Sequence, residues 1–212
     1  MANLTPEPGK GGIISGRLIS PPAPVEISPG FTYSAERHEY RLNGVVIPTV
    51  TQIVNASSPG QSWATEWHLD RGSKVHRAIA LMLAGRLDWA ALDERIRGRV
   101  EAAKRAIADL GLAAVGAEIE VPRYHPTWRF AGTPDFYRAG VLVDWKNSHR
   151  RETEIQAGGY FLLLEAAGLK VKVIYEVVLA DGGYKVNEYK PGRCRALFTA
   201  AYTLFQWQGE GK

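Results

Sequence analysis

Apolar positions along this chain follow two periods, and the switches between them mark its elements. Residues 1–30 follow neither, because six prolines and five glycines interrupt every short apolar run. This stretch is expected to be a flexible or extended tail ahead of a single domain over 31–212. From Phe31 the character changes. Tyr40-Arg41-Leu42 and Val45-Val46-Ile47 flank Asn43-Gly44, a pair suited to a two-residue hairpin turn. Thr49-Val50-Thr51 opens a short apolar segment to Asn55, and Ser57-Ser58-Pro59-Gly60 reads as a loop. A helical period begins near Trp63. Gly72-Ser73 offers a fresh start within it, Val75, Ile79 and Leu83 share a face, and Gly85 is the stop. Leu92, Ile96, Val100, Ala103, Ile107 and Leu110 mark a longer amphipathic helix. Its outer face carries Arg95, Arg97, Arg99, Lys104 and Arg105, read first as a solvated face and second as a contact for a DNA backbone.

The period then becomes two. Val115, Ala117, Ile119 and Val121 alternate with Gly116, Glu118 and Glu120, which predicts a half-buried strand with both glutamates on one face. Gly132-Thr133-Pro134-Asp135 and Val141–Lys146 are extended runs joined by a turn at Arg138-Ala139-Gly140. A polar, basic loop, Asn147-Ser148-His149-Arg150-Arg151, leads into a helix from about Glu152 to Ala167. Gln156 and Tyr160 stand one turn apart on that helix. Val171 to Leu179 is almost continuously apolar, as a central strand is. Asp181-Gly182-Gly183 turns it into Tyr184–Tyr189, and an apolar helix over Arg195 to Trp207 follows.

Composition narrows the picture. No apolar run is long enough to cross a bilayer, no secretory leader pattern is present, and the cytoplasm is the expected compartment. Cys194 stands alone, so neither an internal disulfide nor an all-cysteine metal or iron–sulfur site is available within one chain. The formal charge of +4 permits nucleic-acid binding without demonstrating it.

The chemistry concentrates on the central hairpin. Strand alternation puts Asp144 and Lys146 on one face, with Val143 and Trp145 on the other, and Asp135 folds back near Asp144. Two carboxylates and an ammonium then converge on a point. Carboxylate oxygens are hard ligands that take Mg²⁺ or Mn²⁺, and a neighbouring lysine offsets phosphate charge or positions water. A surface ion pair is the bland alternative. Either Glu118 or Glu120 can join the cluster, and the loop with Arg150 and Arg151 is suited to meet phosphate.

Five short motifs fall in one order: a helix with Val75-His76, a strand with glutamate, Gly132-Thr133-Pro134-Asp135, Val143-Asp144-Trp145-Lys146, and Gln156 with Tyr160. Together they resemble the PD-(D/E)xK nuclease superfamily, and within it the RecB-like exonucleases of phage type, over roughly Tyr40 to Leu179. The resemblance implies an α/β fold with a restriction-endonuclease-like core, a mixed central β-sheet flanked by α-helices. It implies His76, Asp135 and Asp144 as ligands of one or two Mg²⁺ or Mn²⁺ ions, and Lys146 as the catalytic lysine. Glu120 is the choice for the first acidic motif, with Glu118 close behind. Gln156 and Tyr160 support the site or contact DNA, and the basic residues next to Trp63, Trp67 and Tyr160 suit tracking of a DNA backbone with base stacking. The implied activity is a metal-dependent DNA exonuclease of recombination, repair or replication in a bacterial or phage-infected cell. Its expected partners are DNA and a single-strand annealing or recombinase protein, with no membrane and no iron–sulfur cluster. A site- or structure-specific endonuclease of the same fold, or an inactive DNA-binding module, are the alternatives.

Overall fold

The computed structural model describes residues 25–35, 37–57 and 66–209, with side chains from Arg71 onward in the last segment. It is mixed α/β. An antiparallel sheet comes first, in the order β1 (Val25–Ser28), β2 (Phe31–Ser34), β3 (Glu39–Leu42) and β4 (Val45–Ile47). Its first strand lies inside the stretch expected to be tail. Val25 and Glu26 pair with Tyr33 and Thr32, because Gly30, at φ +75°, turns the chain back on itself. The β3–β4 turn has Asn43 at φ 51° and Gly44 at φ 78°, the left-handed pair that the Asn-Gly signature predicts.

Helices α1 (Val50–Ser57), α2 (Glu66–Leu83) and α3 (Glu94–Asp109) follow. Thr49 and Gln52 cap α1 reciprocally, each side chain taking the other's backbone N–H. Helix α2 runs straight through Gly72-Ser73, which is therefore no start. The expected Trp63 start and Ser58-Pro59-Gly60 loop lie outside the described residues. Short strands β5 (Glu118–Ile119), β6 (Arg123–Tyr124) and β7 (Ala131–Gly132) lead to β8 (Phe136–Arg138) and β9 (Val141–Lys146). Helix α4 (Glu152–Ala166), β10 (Val173–Ala180), β11 (Gly183–Tyr189) and α5 (Pro191–Gly209) complete the chain.

The central sheet has five strands in the order β11-β10-β9-β8-β5. Strands β9 and β10 are parallel and joined through α4, while the other neighbours are antiparallel. The sheet is therefore mixed, with helices on both faces, as expected. Phe136, Val143, Trp145, Val177 and Leu179 face α2 and α3 in one apolar core. Tyr137, Leu142 and Ile174 face the other way, into a core with α1, α4 and α5. Each strand thus supplies alternate residues to opposite layers.

Helices α4 and α5 approach closely because α4 carries Gly158-Gly159 where they cross. A Cβ on Gly158 would stand 2.0 Å from the backbone oxygen of Cys194, and one on Gly159 2.7 Å from Phe198 and Val50. Neither backbone can yield locally, so Gly158→Ala should cost about 3 kcal/mol, the upper range of core overpacking. For a domain of this size that lowers Tm by roughly 6–12 °C. Gly192→Ala, where nothing lies within 4 Å of the added methyl, should melt with the wild type. Equal melting of the two variants by circular dichroism would show that the helices separate without strain.

Candidate active site

The β8–β9 turn is as tight as its sequence implies, with Ala139 at φ 48° and Gly140 at φ 95°. That fixes the register, pairing Phe136 with Val143, and brings Asp135 alongside the end of β9. Asp135 Oδ2 accepts the backbone N–H of Trp145 at 2.8 Å, so its carboxylate is clamped across the hairpin. Its Oδ1 lies 3.2 Å from Nδ1 of His76, which α2 presents one residue beyond buried Val75.

Asp144 is 1% exposed and Asp135 is 8% exposed, so this is no surface ion pair. Lys146 Nζ donates to Asp144 Oδ1 at 3.0 Å and to Gln156 Oε1 at 2.9 Å. It also stands 2.8 Å from Asp144 Oδ2, although that buried oxygen has no partner at hydrogen-bond geometry. Gln156 Nε2 in turn donates to the Tyr160 hydroxyl at 2.9 Å. The one-turn spacing on α4 thus builds a chain from Asp144 through Lys146 and Gln156 to Tyr160.

These charges shift one another. Burial pushes the Asp144 carboxyl up to about 7, against the opposing pull of Lys146. Burial acts the same way on Asp135, but His76 and Lys146 outweigh it and hold this carboxyl below its ordinary range. Burial disfavours the His76 and Lys146 cations too. The facing carboxylates overcome it, so both remain protonated above their ordinary ranges.

The glutamate strand departs from expectation. Only Glu118–Ile119 pairs, with β8, and Val115 is exposed. Glu120 is left-handed at φ 50°, which breaks the alternation and separates the two glutamates. Glu118 turns to an ion pair with Arg123. Glu120 is held beside the site instead, its N–H donating to the Asp135 carbonyl at 3.1 Å. Burial and the Asp135 charge raise its carboxyl. The small antiparallel sheet closes this side, where the Tyr40 and Thr133 hydroxyls meet at 2.7 Å.

A cavity of about 580 Å³ opens over Lys146, with His76, Gln156 and Arg150 in its wall. Arg71, Thr51 and Asn55 line it as well and were not singled out in the sequence. The continuous α2 is the signal for Arg71, next to Gly72 and five residues before His76 on the same helix. Arg151 is exposed at the start of α4, away from that wall. Tyr160 is buried against the α4–α5 core, which leaves it no face for stacking on a base. The basic face of α3 is not part of that wall. Arg95, Arg97 and Arg99 pair with Asp93, Glu94 and Asp181, Lys104 lies over Trp89, and the helix packs on the opposite sheet face from Lys146. Trp63 and the side chain of Trp67, expected as stacking partners, lie outside the described residues.

A carboxyl raised by folding binds more protons folded than unfolded, so its contribution to stability falls as pH rises between the two pKa values. For Asp144 that window runs from its ordinary 3.8 to about 7. The raised His76 extends the fall above 6.5. In chelator, Tm should therefore drop between pH 5 and 8, and Asp144→Asn should flatten the drop and melt higher than wild type at pH 8. Parallel Tm–pH profiles for the two proteins would refute the assignment of that slope to Asp144.

No protein-family model and no curated protein sequence matches the chain. Among solved structures it is similar to LHK-Exo in complex with dAMP, at TM-score 0.43 and 14% identity over 78% of this chain and 89% of that one. It is similar as well to a second structure of LHK-Exo, an alkaline exonuclease from Laribacter hongkongensis, at TM-score 0.42 and 15% identity over 75% of this chain and 87% of that one.

Proposed function

We propose that this protein is a divalent-metal-dependent deoxyribonuclease that hydrolyses phosphodiester bonds from DNA ends. The observation that carries the reading is the pair of buried carboxylates, Asp135 held by His76 and Asp144 by Lys146, with His76 and Lys146 lining a cavity walled also by Arg71 and Arg150. A carboxylate pair held out of water needs cationic charge beside it, and arginines above it suit a polyanionic substrate.

The donor set fits Mg²⁺ or Mn²⁺. Asp135 and Asp144 offer hard oxygens, His76 an imidazole, and Asp144 Oδ2 is a buried oxygen lacking a hydrogen bond. Among the described residues no three His, Cys, Asp or Glu side chains are grouped at ligand spacing, and His76 and Lys146 stand against the two carboxylates that an ion would bind. Asp135, Asp144 and His76, with Glu120 beside them, would hold the ion. When bound, it would neutralise phosphate charge and make a water acidic enough to attack.

The remaining work falls to this chain's own groups. Lys146 stays cationic and is aimed by two fixed acceptors, Asp144 and Gln156, so its charge needs no reorganisation as negative charge develops on phosphate. Tyr160 fixes Gln156 from within the core. Arg150 holds the backbone of the entering strand at the cavity rim, a contact indifferent to base sequence. That favours end-directed degradation over recognition of a base sequence, the runner-up reading.

Linear duplex DNA should be degraded progressively in Mg²⁺ or Mn²⁺ while closed circles survive, and chelator should abolish the reaction. Lys146→Ala should fold and lose roughly 10²-fold in rate, the scale for a positioned electrostatic group. Discrete fragments from a closed duplex circle would mean a sequence-reading endonuclease. Wild-type cleavage by Lys146→Ala would remove the site assignment, and no cleavage by wild type would leave a DNA-binding module.

A further inference from the structure

Glu176 sits in the middle of β10 at 0% exposure, in register with Asp144 on β9 and Asn187 on β11. One polar row therefore crosses three strands on the α4 side of the sheet. Glu176 Oε2 accepts three hydrogen bonds at 2.7 Å, from Nδ1 of His149, Nδ2 of Asn187 and the hydroxyl of Tyr189. Its Oε1 is buried without a hydrogen bond. Burial works against this charge, but the three donors outweigh it and hold the carboxyl below its ordinary range.

A carboxylate is an expensive way to fill that place, since an apolar side chain of similar size packs there without losing hydration. Two of its three donors come from β11, which already pairs with β10 from Ile174 to Ala180. They add little that the strand ladder lacks. The third donor does something the ladder cannot. His149 belongs to the polar run between Lys146 and α4, and its side chain is 57% exposed while the carboxylate holding it is wholly buried. The same run gives Asn147, Ser148 and Arg150 to the cavity wall. An irregular segment of this kind has no ladder of its own to fix it.

We propose that Glu176 is a positioning residue: through His149 it pins residues 147–151 to the sheet, so that Arg150 stands ready at the cavity rim to meet substrate phosphate. The pin rests on the geometry alone, and its use in phosphate binding rests on the nuclease reading. A buried, oriented anchor with an exposed partner is how a loop is given a fixed conformation without a strand. The entropy of ordering Arg150 is then lost in folding rather than on binding DNA.

Two variants test this, because Glu176→Gln perturbs a buried network and His149→Ala alters only the exposed partner. Amide hydrogen exchange should quicken across 147–151 in both variants and stay unchanged across 141–146. With linear duplex, KM should rise about five- to tenfold, the scale of one ordinary hydrogen bond, with kcat within about twofold. Adding Arg150→Ala to His149→Ala should raise KM no further than Arg150→Ala alone. Unchanged exchange in His149→Ala overturns the pin. Faster exchange with unchanged KM, or additive effects with Arg150→Ala, overturns its role in binding. If the wild type cleaves no DNA, the nuclease reading fails and the exchange rates still decide whether the pin exists.

Discussion

Two carboxylates buried a hairpin's width apart cannot both carry charge unless cations lie beside them. That constraint organises the molecule around Asp135 and Asp144. Lys146 answers it from the same strand and His76 from α2, and each contact commits a further element. To keep Lys146 on Asp144, α4 must bring Gln156 to its other side. To keep His76 on Asp135, α2 must bury Val75 and Ile79 among the α3 side chains. The folded state holds Asp144 at a cost, with its carboxyl raised to about 7. Such a cost is tolerated where a site needs charge that water would otherwise screen.

Local sequence made the elements legible where the chain's own stereochemistry decides them. Asn43-Gly44 and Ala139-Gly140 are left-handed pairs that force two-residue turns, and from the second turn the shared face of Asp144 and Lys146 follows by alternation alone. Gln156 and Tyr160 were legible as a pair because one helical turn separates them. What alternation could not reach was Glu120. Its period-two pattern places it with Glu118, yet a single left-handed residue turns the chain, sending Glu118 to Arg123 and Glu120 to Asp135. A glutamate at φ 50° is paid for by tertiary contacts with β8 that no local pattern encodes. The same limit hid Arg71 and Glu176, which matter through neighbours on other elements. Tyr160 reads in the sequence as an aromatic suited to base stacking but is buried in the core with α5. Similarly, Arg95, Arg97 and Arg99 of α3 look available in sequence, and they pair with Asp93, Glu94 and, from the β10–β11 turn, Asp181.

The height of α4 above the sheet sets whether Gln156 reaches Lys146 at all, and glycines set that height. On the α5 side, Gly158 and Gly159 remove the methyl groups that would hold the helices apart. On the side of the separate β6–β7 ribbon, Gly132 lies where a Cβ would come within 3.1 Å of the Tyr160 ring and of Val50. Three missing side chains therefore let Tyr160 sink into the core. With its ring fixed there, its hydroxyl holds the Gln156 amide, leaving the Gln156 oxygen for Lys146. The polar contacts of the site are short because the packing beneath them is tight. An amide on a helix riding even one methyl higher would leave the ammonium a single acceptor, and Asp144 would then bear the whole of its charge. The glycines of α4 thus belong to the electrostatics of the site as much as to the core, although none of them touches a charged atom.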